Sequence, residues 1–478
     1  MRNIAVMRFI LALWCCGITA HTLAQDGKTR LPQPVVQALV QAGIPEASVG
    51  IYVQDVNAEQ ALIAIGDERP LNPASTIKLL TTFAALDQLG PAHAWSTEIH
   101  TVGTQQGDVL AGDLILKGYG DPHMTLENFW LMLRKLRARG VREIRGDLLL
   151  DRSYFAAEAI DPADFDNEPM RPYNTPPDAL LVNFKAVRLQ FVPDPERRQI
   201  AIVVEPALPQ VQVLNHIVLD NQPCADWVSR LKLTALGDGS SARLLFSGNY
   251  SLSCGEKERN YSVLDHPQYV HGLFALLWRE LGGTFSGGVR TIEVPSGARR
   301  LFAHQTQTLA EIVRGINKFS NNVMARQLFL SLGAIAFGAP AGSEKSARAI
   351  RQWLVARGLS FPELVLENGS GLSRVERLSA RSLARLLIVA QRSAVMPEFI
   401  ASLPLVAVDG TMKKRLASAD VGGQAHIKTG TLSGVRAIAG YVLDSKGRTM
   451  IVVCIVNHAR APGAQAAQDA LLNWVYAR

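Results

Sequence analysis

The stretch "NPASTIKLL", residues 72–80, combines a helix start with two reactive side chains. Asn72 and Pro73 favour the start of a helix and place Ser75 in its first turn, where free backbone N–H groups favour negative charge. Lys78 follows three residues later on the same face, so its amine can approach the serine hydroxyl. A lysine among apolar neighbours deprotonates more easily and can act as a base. Ser75 and Lys78 are therefore a candidate nucleophile and base, although this pattern alone is weak.

Two motifs farther along the chain strengthen this interpretation. Lys428-Thr429-Gly430 occurs in a β-rich run, where glycine allows close backbone approach and a lysine beside a hydroxyl suits a carboxylate. Ser320-Asn321-Asn322 occurs between two helical runs, so a loop there can present a hydroxyl and an amide to a cleft. The trio S-x-x-K, S-x-N and K-T-G is found in class A β-lactamases and penicillin-binding proteins.

A competing set of the same motifs has to be weighed. Ser229 and Lys232 in "SRLK" also fit S-x-x-K, and Ser247 and Asn249 in "FSGN" also fit S-x-N. No proline marks a helix start before Ser229, and "FSGNYS" is typical of a strand or turn. K-T-G occurs once. We therefore predict that the set built on Ser75 forms the site.

The length and composition indicate a folded protein with more than one hydrophobic core. The chain has 478 residues, of which 48% are hydrophobic and 19% charged, unlike a disordered protein. The formal net charge is +7. Its basic residues are spread out and form no cluster with interleaved aromatic residues, so we expect no nucleic-acid partner.

Residues 1–24 have the features of a signal peptide. Basic "MRNIAVMR" precedes the apolar run "FILALWCCGITA" and a small-residue cleavage site ending at Ala24. The run is shorter than the ~20 residues of a membrane span. We expect cleavage and a periplasmic protein with no stable membrane anchor, a retained anchor being the alternative. The last helix has no amphipathic extension, so we expect no C-terminal tether either.

Cleavage would remove Cys15 and Cys16 and leave three cysteines. In an oxidising compartment Cys224 and Cys254 are natural partners because they close one loop within one region, although the other pairings stay open. Cys454 lies in the apolar β-branched run "TMIVVCIVN", so we expect it to be a buried packing residue.

The hydrophobic pattern predicts an α+β fold interrupted by a large insertion. Residues 48–66 suggest two strands, and "AHIKTGTL", "VRAIAGYVLDSKG" and "TMIVVCIVN" suggest three more before a final helix. We predict one five-stranded antiparallel sheet flanked by helices. Residues 25–95 and 295–478 would form this discontinuous domain, and residues 96–294 would form one or two β-rich inserted modules.

On these motifs the chain resembles the class C penicillin-binding proteins, the D-alanyl-D-alanine carboxypeptidase/endopeptidase family. Similar segments, in the family's order, are "NPASTIKLLTTFAAL", "LKGYGDP", "PYNTPPDALLVN", "ENGSGLSR", "LPLVAVDGTMKKR" and "HIKTGTLSGVRAIAGYV". The resemblance implies a β-lactamase-like transpeptidase domain with inserted domains between the first two motifs. Tyr119, in "GYGDP", is larger than the residue expected there. Ser370 and Arg374 would line the cleft, unless "NGSGLSR" is a structural turn.

The resemblance implies a serine peptidase that acts on peptidoglycan without a cofactor. It would cleave D-Ala-D-Ala termini and D-Ala-diamino-acid cross-links of stem peptides, and β-lactams would acylate it. Ser75 would form the acyl-enzyme with Lys78 as its base. Ser320, together with Lys428, would relay a proton to the leaving amine.

The resemblance also implies how substrate is held. Asn322 would bind a backbone carbonyl of the substrate, and the K-T-G lysine with Thr429, next to Gly430, would hold the terminal carboxylate. The N–H groups of the nucleophile and of Thr431 would form the oxyanion hole. Asp121 would reach the amino group of a peptidoglycan side chain, and a turn before the following proline is an equally good interpretation.

Other classes fit the sequence less well. His266 and His271 lie in a loop-like stretch without H-E-x-x-H or a paired C-x-x-C, so we expect no metal site. No G-x-S-x-G marks a Ser-His-Asp hydrolase. A β-lactamase or esterase of the same fold and a non-catalytic peptidoglycan-binding envelope protein stay as alternatives. The large insertion argues against the first, and the complete motif set argues against the second.

Overall fold

The structure is a computed structural model that describes residues 30–478. The expected signal peptide, with Cys15 and Cys16, lies outside the described residues. No helix in the described range 30–478 is long and apolar enough to cross a membrane.

Helices and strands alternate in blocks along the described chain. The helices are α1 (Gln33–Gln41), α2 (Lys78–Leu89), α3 (Leu126–Ala138), α4 (His266–Glu280), α5 (Leu309–Phe319), α6 (Asn322–Phe337), α7 (Ser343–Ala356), α8 (Ala380–Gln391), α9 (Met396–Ser402) and α10 (Gln465–Tyr476). The strands are β1 (Val49–Asp55), β2 (Ile63–Ile65), β3 (Ala94–Gln106), β4 (Val109–Lys117), β5 (Glu143–Ile144), β6 (Leu148–Asp151), β7 (Val187–Asp194), β8 (Gln199–Glu205), β9 (Val211–Asp220), β10 (Leu231–Gly237), β11 (Ala242–Ser251), β12 (Lys257–Tyr261), β13 (Thr284–Phe285), β14 (Val289–Thr291), β15 (Arg299–Thr308), β16 (Ala425–Leu432), β17 (Val435–Leu443) and β18 (Thr449–Asn457).

A five-stranded antiparallel sheet joins the two ends of the chain in the order β16-β17-β18-β1-β2. Its long-range pair is β1 with β18, which match residue for residue from Val49 opposite Val456 to Asp55 opposite Met450. The predicted sheet of two early and three late strands is thus confirmed. K-T-G lies on the edge strand β16, where one side of the strand is free to face a cleft.

Helices cover both faces of this sheet. On β18, Ile451 and Val453 pack into a core with the helices α2 and α5–α9. Val452 and Cys454 point to the opposite core, which α1 and α10 cover. Burial on both faces explains why this strand reads as a continuous apolar run instead of an alternating one. Cys454 is buried, as expected, and forms no disulfide within residues 30–478.

Helix α2 differs from its expected form at its start. Residues Ala74–Ile77 form a 3₁₀ turn, and the α-helix begins only at Lys78. Ala74 has a φ of +45°, a conformation rare for a residue with a side chain, and Asn72 Oδ1 accepts a hydrogen bond from its N–H. Ser75 therefore lies in this strained turn and not in the α-helix. From Lys78 to Leu86 every residue of α2 is buried, so the helix forms the centre of the domain.

The insertion contains two sheet systems and two helices. A seven-stranded sheet built from β3–β6 and β13–β15 packs with α3 and α4, and two three-stranded sheets, β12-β7-β8 and β10-β11-β9, form a β-sandwich. The prediction of a loop-like stretch around His266 and His271 is wrong, because both lie on α4. Asp265 precedes this helix and Pro267 stands in its first turn, an arrangement that favours a helix start.

The boundaries of the insertion stay a prediction at residues 95/96 and 294/295. Strand β15 pairs with β3, with Thr308 opposite Ala94, and α5 begins directly after it. This pairing favours an insertion that ends nearer residue 308. Within the sandwich a disulfide joins Cys224 and Cys254, the pair expected from the sequence.

Candidate active site

Ser75 and Lys78 lie in direct contact at the start of α2. Lys78 Nζ is 3.0 Å from Ser75 Oγ. The same amine donates to Asn322 Oδ1 at 2.6 Å and to the carbonyl oxygen of Ser370. Three oxygen atoms from three separate segments therefore fix the position of one lysine beside a hydroxyl that is only partly buried.

The environment of Lys78 favours its neutral form. Its side chain is fully buried, and burial, followed by the nearby charge of Lys428, holds the pKa of Lys78 well below its usual value. Burial disfavours an ammonium ion because water no longer solvates it, and a second cation adds repulsion. A neutral amine 3.0 Å from a hydroxyl can accept its proton.

The S-x-N motif lies at the junction of two helices, as the sequence predicts. Helix α5 ends at Phe319, and Ser320 has a left-handed backbone with a φ of +56°. The Asn321 side chain accepts a hydrogen bond from Met324 N at 3.0 Å and so caps α6. Asn322 is the first residue of α6, with its amide directed at the active-site lysine. The sharp turn between the helices thus exposes Ser320 and Asn322 to the same space.

Lys428 faces Ser320 across the cleft from β16. Lys428 Nζ donates to Ser320 Oγ and to the Thr429 carbonyl oxygen, both at 2.8 Å. Its side chain is fully buried, and burial lowers the pKa of Lys428 to about 7. Near neutral pH it can therefore either donate a proton or take one up.

Gly430 lets strand β16 pass against the turn that carries the nucleophile. A β-carbon at this position would lie 2.8 Å from the Pro73 carbonyl oxygen and 3.1 Å from Ser75 N. On either side, Thr429 Oγ1 contacts Thr411 Oγ1 at 2.8 Å, and Thr431 Oγ1 accepts from Arg436 at 2.9 Å. The strand therefore passes directly beside the backbone of Ser75, with a threonine on each side of the point of contact.

A loop between residues 367 and 371 holds the carbonyl that Lys78 contacts, and one buried glutamate organises it. Glu376 is fully buried and accepts hydrogen bonds at 2.9–3.2 Å from the backbone N–H groups of residues 367, 368, 369 and 371. Burial raises the pKa of Glu376, and these N–H groups oppose the rise. The sequence analysis missed this residue. A glutamate just after a Gly-rich turn was the only signal, and it does not distinguish a loop anchor from a surface residue.

A cavity of about 390 Å³ opens beside this loop. Carboxylates line it, including Glu158, Asp161 and Asp164, together with Arg374 and Arg326. The Arg374 guanidinium lies over a phenylalanine ring at 4.3 Å, and Arg326 Nε is buried without a hydrogen-bond partner in the described chain. Arg374 therefore borders this cavity, whereas Ser370 is buried within the loop. The acid-rich run 158–166 was the sequence signal for this cavity.

Asp121 does not lie open to the cleft. It is 2% exposed, and its carboxylate accepts hydrogen bonds from Thr306 Oγ1 at 2.8 and 3.0 Å and from His123 N at 2.8 Å. Burial raises the pKa of Asp121 to about 6, although these bonds lower it. Such contacts suit the turn that the sequence left as the alternative. Tyr119, the oversized residue nearby, donates to Glu98 at 3.0 Å.

The competing motif set forms a different structure. Lys232 lies on β10 directly opposite Ser247 on β11, and Asn249 follows on the same strand. Ser229 lies in the loop before β10 and donates to the Asp226 carbonyl oxygen at 2.9 Å. No helix carries Ser229 and Lys232 on one face, because alternating side chains and a cross-strand partner favour a strand here.

Comparison of the fold defines the class of protein. The structure of penicillin binding protein 4 from Haemophilus influenzae superposes with a TM-score of 0.78, covering 93% of this chain and 99% of that one at 24% identity. A predatory endopeptidase from Bdellovibrio bacteriovorus gives a TM-score of 0.51 at 14% identity, with 89% and 92% covered. The fold is that of the DD-peptidases with a large insertion, as predicted.

Sequence comparison identifies the family. The profile of the D-Ala-D-Ala carboxypeptidase 3 (S13) family matches residues 31–477, and the chain belongs to this family. The D-alanyl-D-alanine carboxypeptidase DacB of Haemophilus influenzae is 24% identical over 87% of this chain and 86% of its own length. The D-alanyl-D-alanine carboxypeptidase of Actinomadura sp. (strain R39) is 28% identical over 93% and 84%. The resemblance to class C penicillin-binding proteins is thereby confirmed.

Proposed function

We propose that this protein hydrolyses D-Ala-D-Ala termini of peptidoglycan stem peptides through an acyl-enzyme on Ser75. The observation that carries the proposal is the 3.0 Å contact between Ser75 Oγ and Lys78 Nζ, in a site where burial and a second lysine disfavour the ammonium form. Family membership gives the reaction class, and this contact supports the assignment of nucleophile and base.

In the acylation step Ser75 Oγ attacks the penultimate D-Ala carbonyl carbon while Lys78 takes its proton. The resulting oxyanion would be held by the N–H groups of Ser75 and Thr431. Support for this arrangement comes from the tight passage of Gly430 against the nucleophile's turn. Loss of one such donor costs about 3 kcal/mol of transition-state stabilisation in serine hydrolases.

Collapse of the intermediate breaks the C–N bond and requires a proton on the leaving amine. Ser320 can supply it, because its hydroxyl lies 2.8 Å from Lys428 Nζ, which can replace the donated proton. Water then attacks the acyl-enzyme with the same groups acting in reverse. In its protonated form Lys428 would also attract the terminal carboxylate, with Thr429 donating a hydrogen bond to it.

Asn322 has two tasks in this scheme. Its Oδ1 accepts from Lys78 at 2.6 Å, so it helps to hold the base. Its amide nitrogen then remains to donate to a backbone carbonyl of the substrate. One side chain would thus couple the position of the base to that of the peptide.

We extend the proposal to the D-Ala-diamino-acid cross-links, which makes the protein an endopeptidase as well. The cavity lined by Glu158, Asp161 and Asp164 lies next to the loop that contacts Lys78, and its carboxylates suit the ammonium group of a diamino-acid side chain. Arg374 on the same cavity suits a carboxylate. These residues replace Asp121 in the role that the resemblance implied. β-Lactams, which carry a carboxylate beside a reactive carbonyl, would acylate Ser75.

The proposed location is the periplasm. The signal-peptide pattern in residues 1–24 supports export, and the Cys224–Cys254 disulfide suits an oxidising compartment. Stem peptides of the cell wall would be accessible there.

Digestion of defined substrates tests the proposal. Purified protein is incubated with a pentapeptide muropeptide and with a cross-linked dimer, and the products are read by mass spectrometry. We expect loss of one D-Ala from the first and monomers from the second. Both products should vanish in Ser75→Ala and persist in Ser229→Ala, the matched control from the competing motif. Wild-type protein that forms neither product would refute the proposal.

A further inference from the structure

The β-sandwich of the insertion is open along one side. On the other side its two sheets meet through the edge strands β8 and β9. The opposite edge strands are β12 and β10, and a cavity of about 210 Å³ lies where their inner faces approach each other. Its lining includes Arg259 and Tyr261 from β12, Leu231 from β10, Trp227 and Arg171. We call this cavity the sandwich mouth.

Two arginines in the sandwich mouth have unsatisfied donors. Arg259 points inward, because Lys257, Arg259 and Tyr261 are the less exposed residues of β12 while Glu258 and Asn260 are exposed. Its Nε is buried without a hydrogen-bond partner in the described part of the chain, and the same is true of the Nε of Arg171. A buried donor without a partner costs about 1–3 kcal/mol, and more when it is charged.

Few protein carboxylates compensate these charges. Glu168 lies 3.6 Å from Arg171 and is largely exposed, and within residues 30–478 no carboxylate lies within 4.0 Å of Arg259. The Arg259 guanidinium lies 5.6 Å from the centre of the Tyr261 ring, and both arginines lower the pKa of Tyr261 against the rise that burial causes. An inward arginine on an edge strand can prevent edge-to-edge pairing. That reason does not apply to Arg171, which lies on a loop outside the sheets.

Aromatic rings form the other wall of the sandwich mouth. Trp227 is half-buried in the loop that the Cys224–Cys254 disulfide closes, and its ring packs against Phe191 and Tyr250 at centroid distances of 5.3 and 5.9 Å. These contacts fix the orientation of Trp227. The ring lies among the lining residues, next to the two arginines. Fixed aromatic surface beside unpaired donors suits a ligand with an apolar face and an acidic group.

We propose that the sandwich mouth binds a muramic acid unit of the peptidoglycan glycan strand whose lactyl carboxylate is free because the unit carries no stem peptide. This inference rests on the proposed function for the identity of the polymer. The volume is below that of a drug-sized pocket and matches about one pyranose ring. The apolar face of the ring packs on Trp227, and its carboxylate accepts hydrogen bonds from the guanidinium groups of Arg259 and Arg171, which line the cavity.

One continuous segment connects the sandwich mouth to the catalytic region. Asp161 and Asn174 line the cavity beside the active site, whereas Glu168 and Arg171 line the sandwich mouth. Asn174 Nδ2 donates to the Glu168 carbonyl oxygen at 3.0 Å and braces this segment. A polymer held at the sandwich mouth therefore gains a second anchor that a short peptide lacks, which raises affinity for polymeric substrate through effective concentration.

Binding of two monosaccharides tests the proposal directly. Full-length protein is first acylated with a penicillin to close the catalytic cleft, and binding of N-acetylmuramic acid is measured by calorimetry or ligand-observed NMR. N-acetylglucosamine, which lacks the lactyl carboxylate, is the neutral probe. We expect saturable binding of the acidic sugar and at least about tenfold weaker binding of the neutral one. Equal binding of both sugars, or no saturable binding of the acidic sugar, would overturn the proposal.

Matched variants locate the site. Arg259→Gln keeps the length of the side chain and removes its charge, and Arg243→Gln makes the same change on an exposed arginine of β11. Binding of N-acetylmuramic acid should weaken at least about tenfold in the first variant and stay unchanged in the second. If Arg259→Gln unfolds, Arg171→Gln provides the same test from the loop. Unchanged binding in a folded Arg259→Gln or Arg171→Gln would refute the assignment.

Turnover separates this proposal from the catalytic one. Hydrolysis of a short D-Ala-D-Ala peptide by Arg259→Gln should equal that of the unmodified sequence. Cleavage of cross-links in peptidoglycan that an amidase has partly stripped of stem peptides should slow. If the protein with the unmodified sequence fails to hydrolyse the short peptide, the proposed function is contradicted. Equal cleavage of this partly stripped peptidoglycan by both proteins would contradict the proposal for the sandwich mouth alone.

Discussion

Replacing Gly430 with alanine is expected to push β16 away from the nucleophile. The new β-carbon would lie 2.8 Å from the Pro73 carbonyl oxygen, and 3.1 Å from both Ser75 N and the Ala74 β-carbon. Comfortable carbon–oxygen contacts begin at about 3.3 Å. The strand or the turn must therefore move by about 0.5 Å, and both carry groups of the proposed oxyanion hole.

The size of the effect follows from this displacement. Overpacking of this kind costs about 1–3 kcal/mol, a fraction of the 5–15 kcal/mol that stabilises a typical domain, so the variant should fold. A displacement of about 1 Å can slow an enzymatic step about a hundredfold. For half of that displacement we expect acylation to slow about tenfold. The reason is that the N–H groups of the oxyanion hole are displaced, while every chemical group of the site is still present.

The second-order rate of acylation by a fluorescent penicillin measures the effect, and thermal unfolding monitors the fold. Gly297→Ala is the matched control, because a β-carbon there meets nothing within 4 Å. It should acylate at the original rate. Gly430→Ala protein that acylates within about twofold of that rate would refute the close-approach argument.

Two further predictions concern charges around the site. Because burial lowers the pKa of Lys428 to about 7, this residue loses its positive charge as the pH rises through 7, and kcat/KM for a D-Ala-D-Ala peptide should fall there. Lys428→Arg stays charged, so its residual activity should lack this fall, and a fall at the same pH would contradict the assignment. Glu376→Gln leaves one loop N–H facing an amide donor, which should lower the free energy of unfolding by about 1–3 kcal/mol and slow acylation. Exposed Glu59→Gln should change neither quantity, and equal behaviour of the two variants would argue against the loop anchor.

The catalytic sheet could be predicted because its strands carry strong local signals. The run from Thr449 to Asn457 is long, apolar and β-branched, and a strand buried on both faces leaves few other interpretations. The pairing of β1 with β18, which completes this sheet, is known only from the structure. The end of helix α2 could also be predicted, because a glycine commonly ends a helix. Gly90 does so here, with a φ of +80°.

Much of the insertion could not be predicted, because its elements are short and its pairings are non-local. The helices α3 and α4 were not predicted, because the many Gly, Pro and Asp residues around them led to the interpretation of this region as β-rich. The division into a seven-stranded sheet and a sandwich depends on pairings such as β15 with β3, which join residues about 200 positions apart. Local pattern does not encode which of several short strands will be neighbours.

The candidate site shows the same division between local and distant information. Motif spacing predicts Ser75, Lys78 and Lys428 as site residues, and the structure brings the first two into contact beside the strand that carries the third. The loop anchored by Glu376 and the acid-lined cavity arise from tertiary packing, so no single stretch of sequence predicts them. The substrate-binding role of Asp121 stays a prediction, and the structure shows that its carboxylate is buried and hydrogen-bonded to Thr306.

The most direct test of the central claim is to locate the acyl group. Protein treated with a penicillin is digested, and the modified peptide is identified by mass spectrometry. We predict one adduct, on the peptide that contains Ser75, which disappears in Ser75→Ala and remains in Ser229→Ala. An adduct on any other residue, or labelling that survives Ser75→Ala and vanishes in Ser229→Ala, would contradict the account.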